Sequence, residues 1–310
     1  MVEKITIYKN FKVKKKHKNS ILLIGNFDGL HLGHQKLFRL ANSYRKKNKI
    51  KIGVLTFDPI PKMFFNKNLK NYRVSNTNQQ INSFQKYNVN FIISIKFNKK
   101  FSKIKYDKFI SRILYKNLKS KYIFVSNNFK FGNKREGNVK LLKDNEKKYN
   151  YKIINPKPFI KKKKIVSSTL IRKLLNKGKL DEANILLNRN WSIQGTVLKG
   201  RKMGKKIGFP TANVSLKDYI LPSLGVYAVK VYIENNNKFH RGISNIGYRP
   251  TFNQKKILLE ANLFNFNKNI YNKKLTVEFL KFIRKEKKFN GINDLRKQIN
   301  IDLVKAKKVK

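Results

Sequence analysis

Four groups of side chains have types and spacings suited to chemistry on phosphates. His31 and His34 lie three residues apart in Gly25-Asn26-Phe27-Asp28-Gly29-Leu30-His31-Leu32-Gly33-His34, directly after the apolar run Ile21-Leu22-Leu23-Ile24. At the start of a helix that spacing lets both imidazoles face one pocket, where free N–H groups and the helix dipole favour an anion. Imidazole can donate to a phosphoryl oxygen, and Gly25, Gly29 and Gly33 let the backbone pass close to a bulky ligand. Ser167, Ser168 and Thr169 open a second helix with Arg172 one turn inside. Capping alone would account for the hydroxyls, but the arginine adds a cation aimed at the same helix end. Gly200, Gly204 and Gly208 recur every four residues before Pro210, Thr211 and Asn213. Such a backbone can cradle phosphates, and the hydroxyl and amide oxygen are hard ligands suited to Mg²⁺. Glu260 is a carboxylate among Leu258, Leu259, Ala261 and Leu263, in a chain with only 16 Asp+Glu. A neutral alcohol attacking ATP benefits from a base of that kind.

The elements that must position these groups follow from hydrophobic pattern. Residues 21–24 read as a strand, the glycine-rich stretch as a turn, and 35–47 as an amphipathic helix. Further strands are predicted over 50–56, 91–95 and 122–125, with a helix over 106–118 whose apolar face carries Phe109, Ile110, Ile113 and Leu114. Alternation of this sort predicts a parallel sheet with helices on both faces, a fold that binds ligands at its strand-to-helix turns. Residues 1–20 are expected to form a leading strand and a loop. The helix opened by Ser167 should run to Lys177 and stop at Gly178, and a short helix over 181–187 leads to a linker at 188–190. The domain boundary is placed there, giving 1–187 and 188–310. Beyond it, short strands over 193–198, 226–233, 242–246, 257–264 and 275–283 predict an antiparallel barrel. Ile292, Leu295, Ile299 and Leu303 form one stripe of an amphipathic helix over 291–307 that caps it.

Composition narrows the classes. A chain of 310 residues accommodates about two domains, and its 40% hydrophobic content supports packed cores. It has no apolar run of membrane-spanning length and no apolar segment in its lysine-rich N-terminus, so a soluble cytoplasmic protein without a signal peptide is expected. Zero cysteines exclude disulfides, thiolate metal sites and cysteine nucleophiles. The net charge of +57 points first to nucleic acid. Its excess is mostly lysine spread along the whole chain, not arginine clustered with aromatics, so the reading is diffuse surface charge without a specific nucleic-acid partner.

Gly25 to His34 resembles the HxGH signature of nucleotidyltransferases, in the form seen in the adenylyltransferase module of bacterial FAD synthetases. Gly208-Phe209-Pro210-Thr211-Ala212-Asn213 resembles the riboflavin kinase signature, and the segments 225–228 and 242–251 resemble that family's barrel. Together the two matches make nearly the whole chain similar to the bifunctional riboflavin kinases/FMN adenylyltransferases.

That resemblance implies a Rossmann-like α/β nucleotidyltransferase domain followed by a riboflavin kinase-like β-barrel. ATP would be the co-substrate, Mg²⁺ the metal at Thr211 and Asn213, and riboflavin and FMN the small-molecule substrates, with the protein a monomer. Gly25, Asn26, Phe27, Asp28, Gly29, Gly33, Ser167, Ser168, Thr169, Gly200, Gly204, Gly208 and Pro210 would bind nucleotide. His31, His34 and Arg172 would act in adenylyl transfer and Glu260 as the kinase base. Asn128, Phe129, Phe131, Gly132, Arg135, Arg284 and Phe289 would bind flavin. The chain departs from the family pattern at Ile60, where a histidine is usual, and at Ser126, Asn128 and Lys130, where glycine, aspartate and arginine are usual. Asn262 and Asn265 stand for a histidine and an aspartate. Two other readings stay open at this point: a riboflavin kinase with a decayed adenylyltransferase half, and a basic nucleic-acid-binding protein on the same fold.

Overall fold

The computed structural model describes residues 4–200, 204, 207–217, 219–236, 238–249 and 256–309. Two compact units emerge, one of Met1–Leu69 with Gln80–Val166 and one of Lys70–Gln79 with Ser167–Lys310.

The first unit is built on a parallel sheet of β1 (Thr6–Tyr8), β2 (Ile21–Ile24), β3 (Ile52–Asp58), β4 (Phe91–Lys96), β5 (Tyr122–Phe124) and β8 (Lys152–Ile154), in the order β1-β4-β3-β2-β5-β8. Leu22 and Ile24 pack into one core and Ile21 and Leu23 into the other, on opposite faces of the sheet. Burial on both faces is why β2 reads as an unbroken apolar run and not as an alternation. Leu37, Phe38 and Ala41 of the helix Leu32–Asn48 fill one core. A π-helix over Phe109–Leu118 fills the other, where the sequence predicted an ordinary helix over 106–118; only Tyr106–Lys108 is α-helical. The chain visits β3 on one side of β2 and β5 on the other, so the sheet's topological switch lies at the carboxyl end of β2. Two antiparallel ribbons complete the unit: β6 (Lys130–Phe131) with β7 (Gly137–Asn138), and β9 (Ile160–Lys161) with β10 (Lys164–Ile165).

The second unit is a closed barrel of β11 (Ser192–Leu198), β12 (Ala212–Ser215), β13 (Gly225–Ile233), β14 (Phe239–Arg249), β15 (Lys256–Leu263) and β16 (Lys274–Lys285), in the order β11-β12-β15-β14-β13-β16. Tyr227, Val229, Val231, Ile246, Leu259, Ala261, Val277 and Phe279 are its buried interior. Their neighbours along each strand face outward, as the two-residue period requires. The helices Ser168–Asn176 and Leu180–Leu187 pack with this unit. The Asn184 amide donates to the Phe279 carbonyl at 3.0 Å and accepts from the Trp191 N–H at 2.7 Å. Asn184 thereby ties the helix Leu180–Leu187 to β16 and to the residue before β11. The C-terminal helix, Ile292–Lys308, lies along the outside of the wall, where Leu303 and Ala306 cover Val226, Ala228 and Ile243.

Candidate functional sites

In the first unit the glycine-rich turn leaves β2 at the switch point. Phe27, Gly29 and Leu30 all take positive φ, +47°, +77° and +39°. This turn places His31 at the N-cap of the Leu32–Asn48 helix, where its Nδ1 accepts from the His34 N–H at 3.4 Å. With Nδ1 accepting, the neutral His31 ring carries its proton on Nε2, as a donor. The two imidazoles stack 3.7 Å apart, 20° from parallel, and the Phe27 ring meets His34 edge-on at 5.2 Å. A Cβ on Gly33 would stand 3.2 Å from the His31 ring and 3.3 Å from the Val166 carbonyl, so glycine there lets the imidazole lie flat. The Gln80 amide donates to the Asn26 carbonyl, while the Asn26 Oδ1 is buried without a hydrogen-bond partner, an acceptor left for a ligand. Ile60 is buried, so the loop after β3 supplies shape and no side-chain donor at that position.

The loop after β5 leaves the same edge of the sheet, since β2 and β5 are parallel neighbours. Two of its three departures, Ser126 and Asn128, meet each other: the Ser126 hydroxyl donates to the Asn128 Oδ1 at 2.9 Å. Phe129 and Phe131 stack 5.5 Å apart, and Phe131 is buried against Phe109. Gly132 turns with φ +76°, where a Cβ would collide with the backbone of Tyr106. Arg135, also at positive φ, is exposed.

In the second unit Ser167 caps the helix Ser168–Asn176, its side chain accepting from the Leu170 N–H at 3.2 Å. Thr169 follows in the first turn. Arg172 is buried, its Nε donating to the Tyr72 carbonyl at 2.7 Å and its guanidinium 3.7 Å from the Tyr72 ring centre. The Tyr72 partner could not be read from sequence, because it arrives from a hundred residues away.

The barrel's outer wall carries the second set. Register pairs Asn213 with Glu260 and Glu260 with Asn245, and Val226 is paired with both Asn245 and Arg284. Directly opposed residues share a face, so Asn213, Glu260, Asn245, Val226 and Arg284 form one row across five strands. A cavity of about 1290 Å³ lies over this row. Gly200 makes way for Asn213, whose Nδ2 would be 2.5 Å from a Cβ at 200, and Gly204 approaches the Phe209 carbonyl as closely. Gly208 takes φ +90°. The Asn213 Oδ1 is buried without a hydrogen-bond partner, and Thr211 lines the same cavity. One orphaned amide oxygen beside one hydroxyl fits Mg²⁺, a hard ion that takes few protein oxygens and completes its shell with phosphates and water. Among the described residues no cluster of three His, Cys, Asp or Glu could hold a metal instead.

Asn262 donates from its side chain to the Pro210 carbonyl at 2.8 Å, holding the loop that carries Thr211. Arg284 is gripped by buried Asp302, through Nε at 2.8 and 3.0 Å and Nη2 at 2.7 Å, and lies 5.8 Å from the Phe289 ring centre. Glu286, missed in the sequence because it is set among lysines, also lines the cavity and accepts from the Asn245 side chain. Partial desolvation pushes its carboxyl up, against the opposing effects of Arg284 and that hydrogen bond.

Residues 13–170 match the family model described as FAD synthetase, and residues 187–310 match the one described as riboflavin kinase. A bifunctional riboflavin kinase/FMN adenylyltransferase of Buchnera aphidicola subsp. Schizaphis graminum is 44% identical, over 96% of this chain and 96% of its own. The protein of that name from Haemophilus influenzae is 37% identical over 92% of each chain. A crystal structure described as a macrolide-efflux protein of Streptococcus pneumoniae superposes with a TM-score of 0.85 at 29% identity, covering 98% of this chain and 99% of that one.

Proposed function

We infer how the chemistry is divided along the chain from one premise: it belongs to the bifunctional riboflavin kinase/FMN adenylyltransferase family. The chain phosphorylates riboflavin with ATP to give FMN, and adenylylates FMN with ATP to give FAD and pyrophosphate. What we propose is the role of each residue.

In the barrel, Glu260 takes the proton of the terminal ribityl hydroxyl as its oxygen bonds to the γ-phosphorus and the bond to ADP breaks. Thr211 and Asn213 would hold Mg²⁺, which neutralises phosphate charge when bound. Gly200, Gly204, Gly208 and Pro210 give the ATP phosphates a backbone surface, and Arg284 and Phe289 flank the flavin. The single observation that carries this assignment is the cross-strand pairing of Asn213 with Glu260. A buried, unsatisfied oxygen stands one strand from a carboxylate, behind a glycine-rich loop.

In the sheet unit, an FMN phosphate oxygen attacks the α-phosphorus of ATP and pyrophosphate leaves. The nucleophile is already anionic, so no base is needed and catalysis reduces to positioning and charge neutralisation. His31 and His34 donate to phosphoryl oxygens at the helix N-terminus, while Gly25, Asn26, Phe27, Asp28, Gly29 and Gly33 shape the nucleotide site. The same reading gives Ser167, Ser168, Thr169 and Arg172 to the triphosphate. Asn128, Phe129, Phe131, Gly132 and Arg135 receive the flavin, with the Ser126–Asn128 hydrogen bond bracing that loop.

We further propose a cytoplasmic monomer acting on small molecules without a specific nucleic-acid partner. Among the described residues no helix is long and apolar enough to cross a membrane. The test is to incubate the protein with riboflavin, ATP and Mg²⁺ and separate the flavins by chromatography. FMN and then FAD should accumulate; absence of either removes the corresponding assignment.

A further inference from the structure

Residues on the far side of Glu260 from the metal ligands suggest how the acceptor is read. Glu260 is paired with Asn213 on one side and Asn245 on the other, each one strand, about 4.8 Å, away. If phosphoryl transfer occurs between Asn213 and Glu260, the rest of the acceptor's polyol chain runs toward Asn245. There the Asn245 side chain donates to Glu286, and both line the cavity. Room for the carboxylate exists because residue 247 is glycine: a Cβ there would stand 1.9 Å from the Glu286 Oε1 and 3.1 Å from the Asn245 Nδ2. Arg284, a cation that acts on Glu286, has its Nε and Nη2 committed to Asp302. It therefore does not saturate Glu286, whose two oxygens have about four acceptor positions.

We propose that Asn245 and Glu286 form a subsite that accepts hydrogen bonds from the hydroxyl groups of the riboflavin side chain and thereby sets which hydroxyl reaches Glu260. An amide that donates its N–H to a carboxylate offers its own oxygen as an acceptor, so the pair presents acceptors to a ligand rich in O–H donors. The ring of the flavin makes no demand on this pair. The proposal rests on the assignment of Thr211, Asn213 and Glu260 to phosphoryl transfer.

The test compares two flavins in the FMN-forming reaction of the full chain. One is riboflavin as substrate; the other is lumiflavin, the same ring with a methyl group in place of the polyol, as competitive inhibitor. Glu286→Gln should raise the riboflavin KM roughly tenfold or more, the loss of one charge-assisted hydrogen bond, and leave the lumiflavin Ki unchanged. Gly247→Ala, which keeps the carboxylate but displaces it, should reproduce that pattern. An unchanged riboflavin KM in both variants, or a parallel rise in the lumiflavin Ki, overturns the subsite. Should Glu260→Gln phosphorylate riboflavin at the wild-type rate, the transfer assignment fails instead, and the subsite with it.

Discussion

Replacement of Asp302 probes how the C-terminal helix supports the kinase cavity. Its carboxylate is almost fully buried, at 1% exposure, and accepts from Arg284 through three contacts of 2.7–3.0 Å and from the Gln298 amide at 3.0 Å. Asp302→Ala leaves a largely enclosed guanidinium without its counter-charge, and breaking a buried pair by removing one partner costs about 3–5 kcal/mol. The Arg284 side chain keeps 21% exposure, so the lower end, about 3 kcal/mol, is expected after allowance for solvent screening. For a unit of this size each kcal/mol moves the midpoint by roughly 2–4 °C, so the barrel transition should fall by roughly 6–12 °C. Differential scanning calorimetry reads that shift. Because Arg284 lies in the same cross-strand row as Glu260, FMN formation should fall too, while FAD formation from supplied FMN persists. Replacing both partners with apolar residues, Arg284→Met with Asp302→Leu, should recover much of the stability but not the flavin contact. A shift under 2 °C in Asp302→Ala, or no recovery in the double variant, would show that the buried pair does not support the barrel in this way.

Asn213→Ala should raise the Mg²⁺ concentration needed for half-maximal FMN formation, with partial rescue at high Mg²⁺; titration of the rate against Mg²⁺ checks it. Tyr227 is buried, which pushes its hydroxyl up, and its O–H donates to the Ser223 carbonyl. A group whose folded value lies above its unfolded one stabilises below the unfolded value and loses that contribution as pH rises beyond it. Denaturant melts should therefore show the barrel weakening above about pH 10, and Tyr227→Phe should blunt that slope while costing about 1 kcal/mol at neutral pH. Binding to DNA or RNA, driven by the net charge of +57, should fade toward physiological salt and show no sequence preference in filter-binding assays.

The sequence disclosed what local pattern controls. The β2 run, the turn glycines and the amphipathic helix after them were legible because each follows from backbone sterics or from burial on two faces. The Gly-rich loop with Thr211 and Asn213 was legible for the same reason. The alternation past residue 190 announced an antiparallel barrel, but its closure and strand order depend on contacts far apart in sequence. The segment Phe109–Leu118 is π-helical and buries Phe109, Ile110, Ile113, Leu114 and Leu118, of which the sequence reading took the first four as the face of an ordinary helix. Packing of 167–187 with the barrel was hidden because those helices look alike whichever core they cover. The lock between Arg284 and Asp302 and the pairing of Asn245 with Glu286 were invisible for a related reason: folding puts together side chains that sequence separates by 18 and 41 positions. Asn262, a departure from the family pattern, proved to hold the Pro210 carbonyl, a role that depends on how the loop folds back over β15.

On the proposed assignment, two chemically separate reactions are carried by separate residues of one chain, a carboxylate base in the barrel and paired imidazoles in the sheet unit. The most direct measurement assays Glu260→Gln and His34→Ala side by side for FMN formation from riboflavin and for FAD formation from supplied FMN. Glu260→Gln should lower FMN formation by about 10²–10⁴-fold, the usual value of a general base, and leave FAD formation near wild type. His34→Ala should do the reverse. Loss of both reactions in either folded variant, or wild-type FMN formation by Glu260→Gln, would show that the two reactions are not divided in this way.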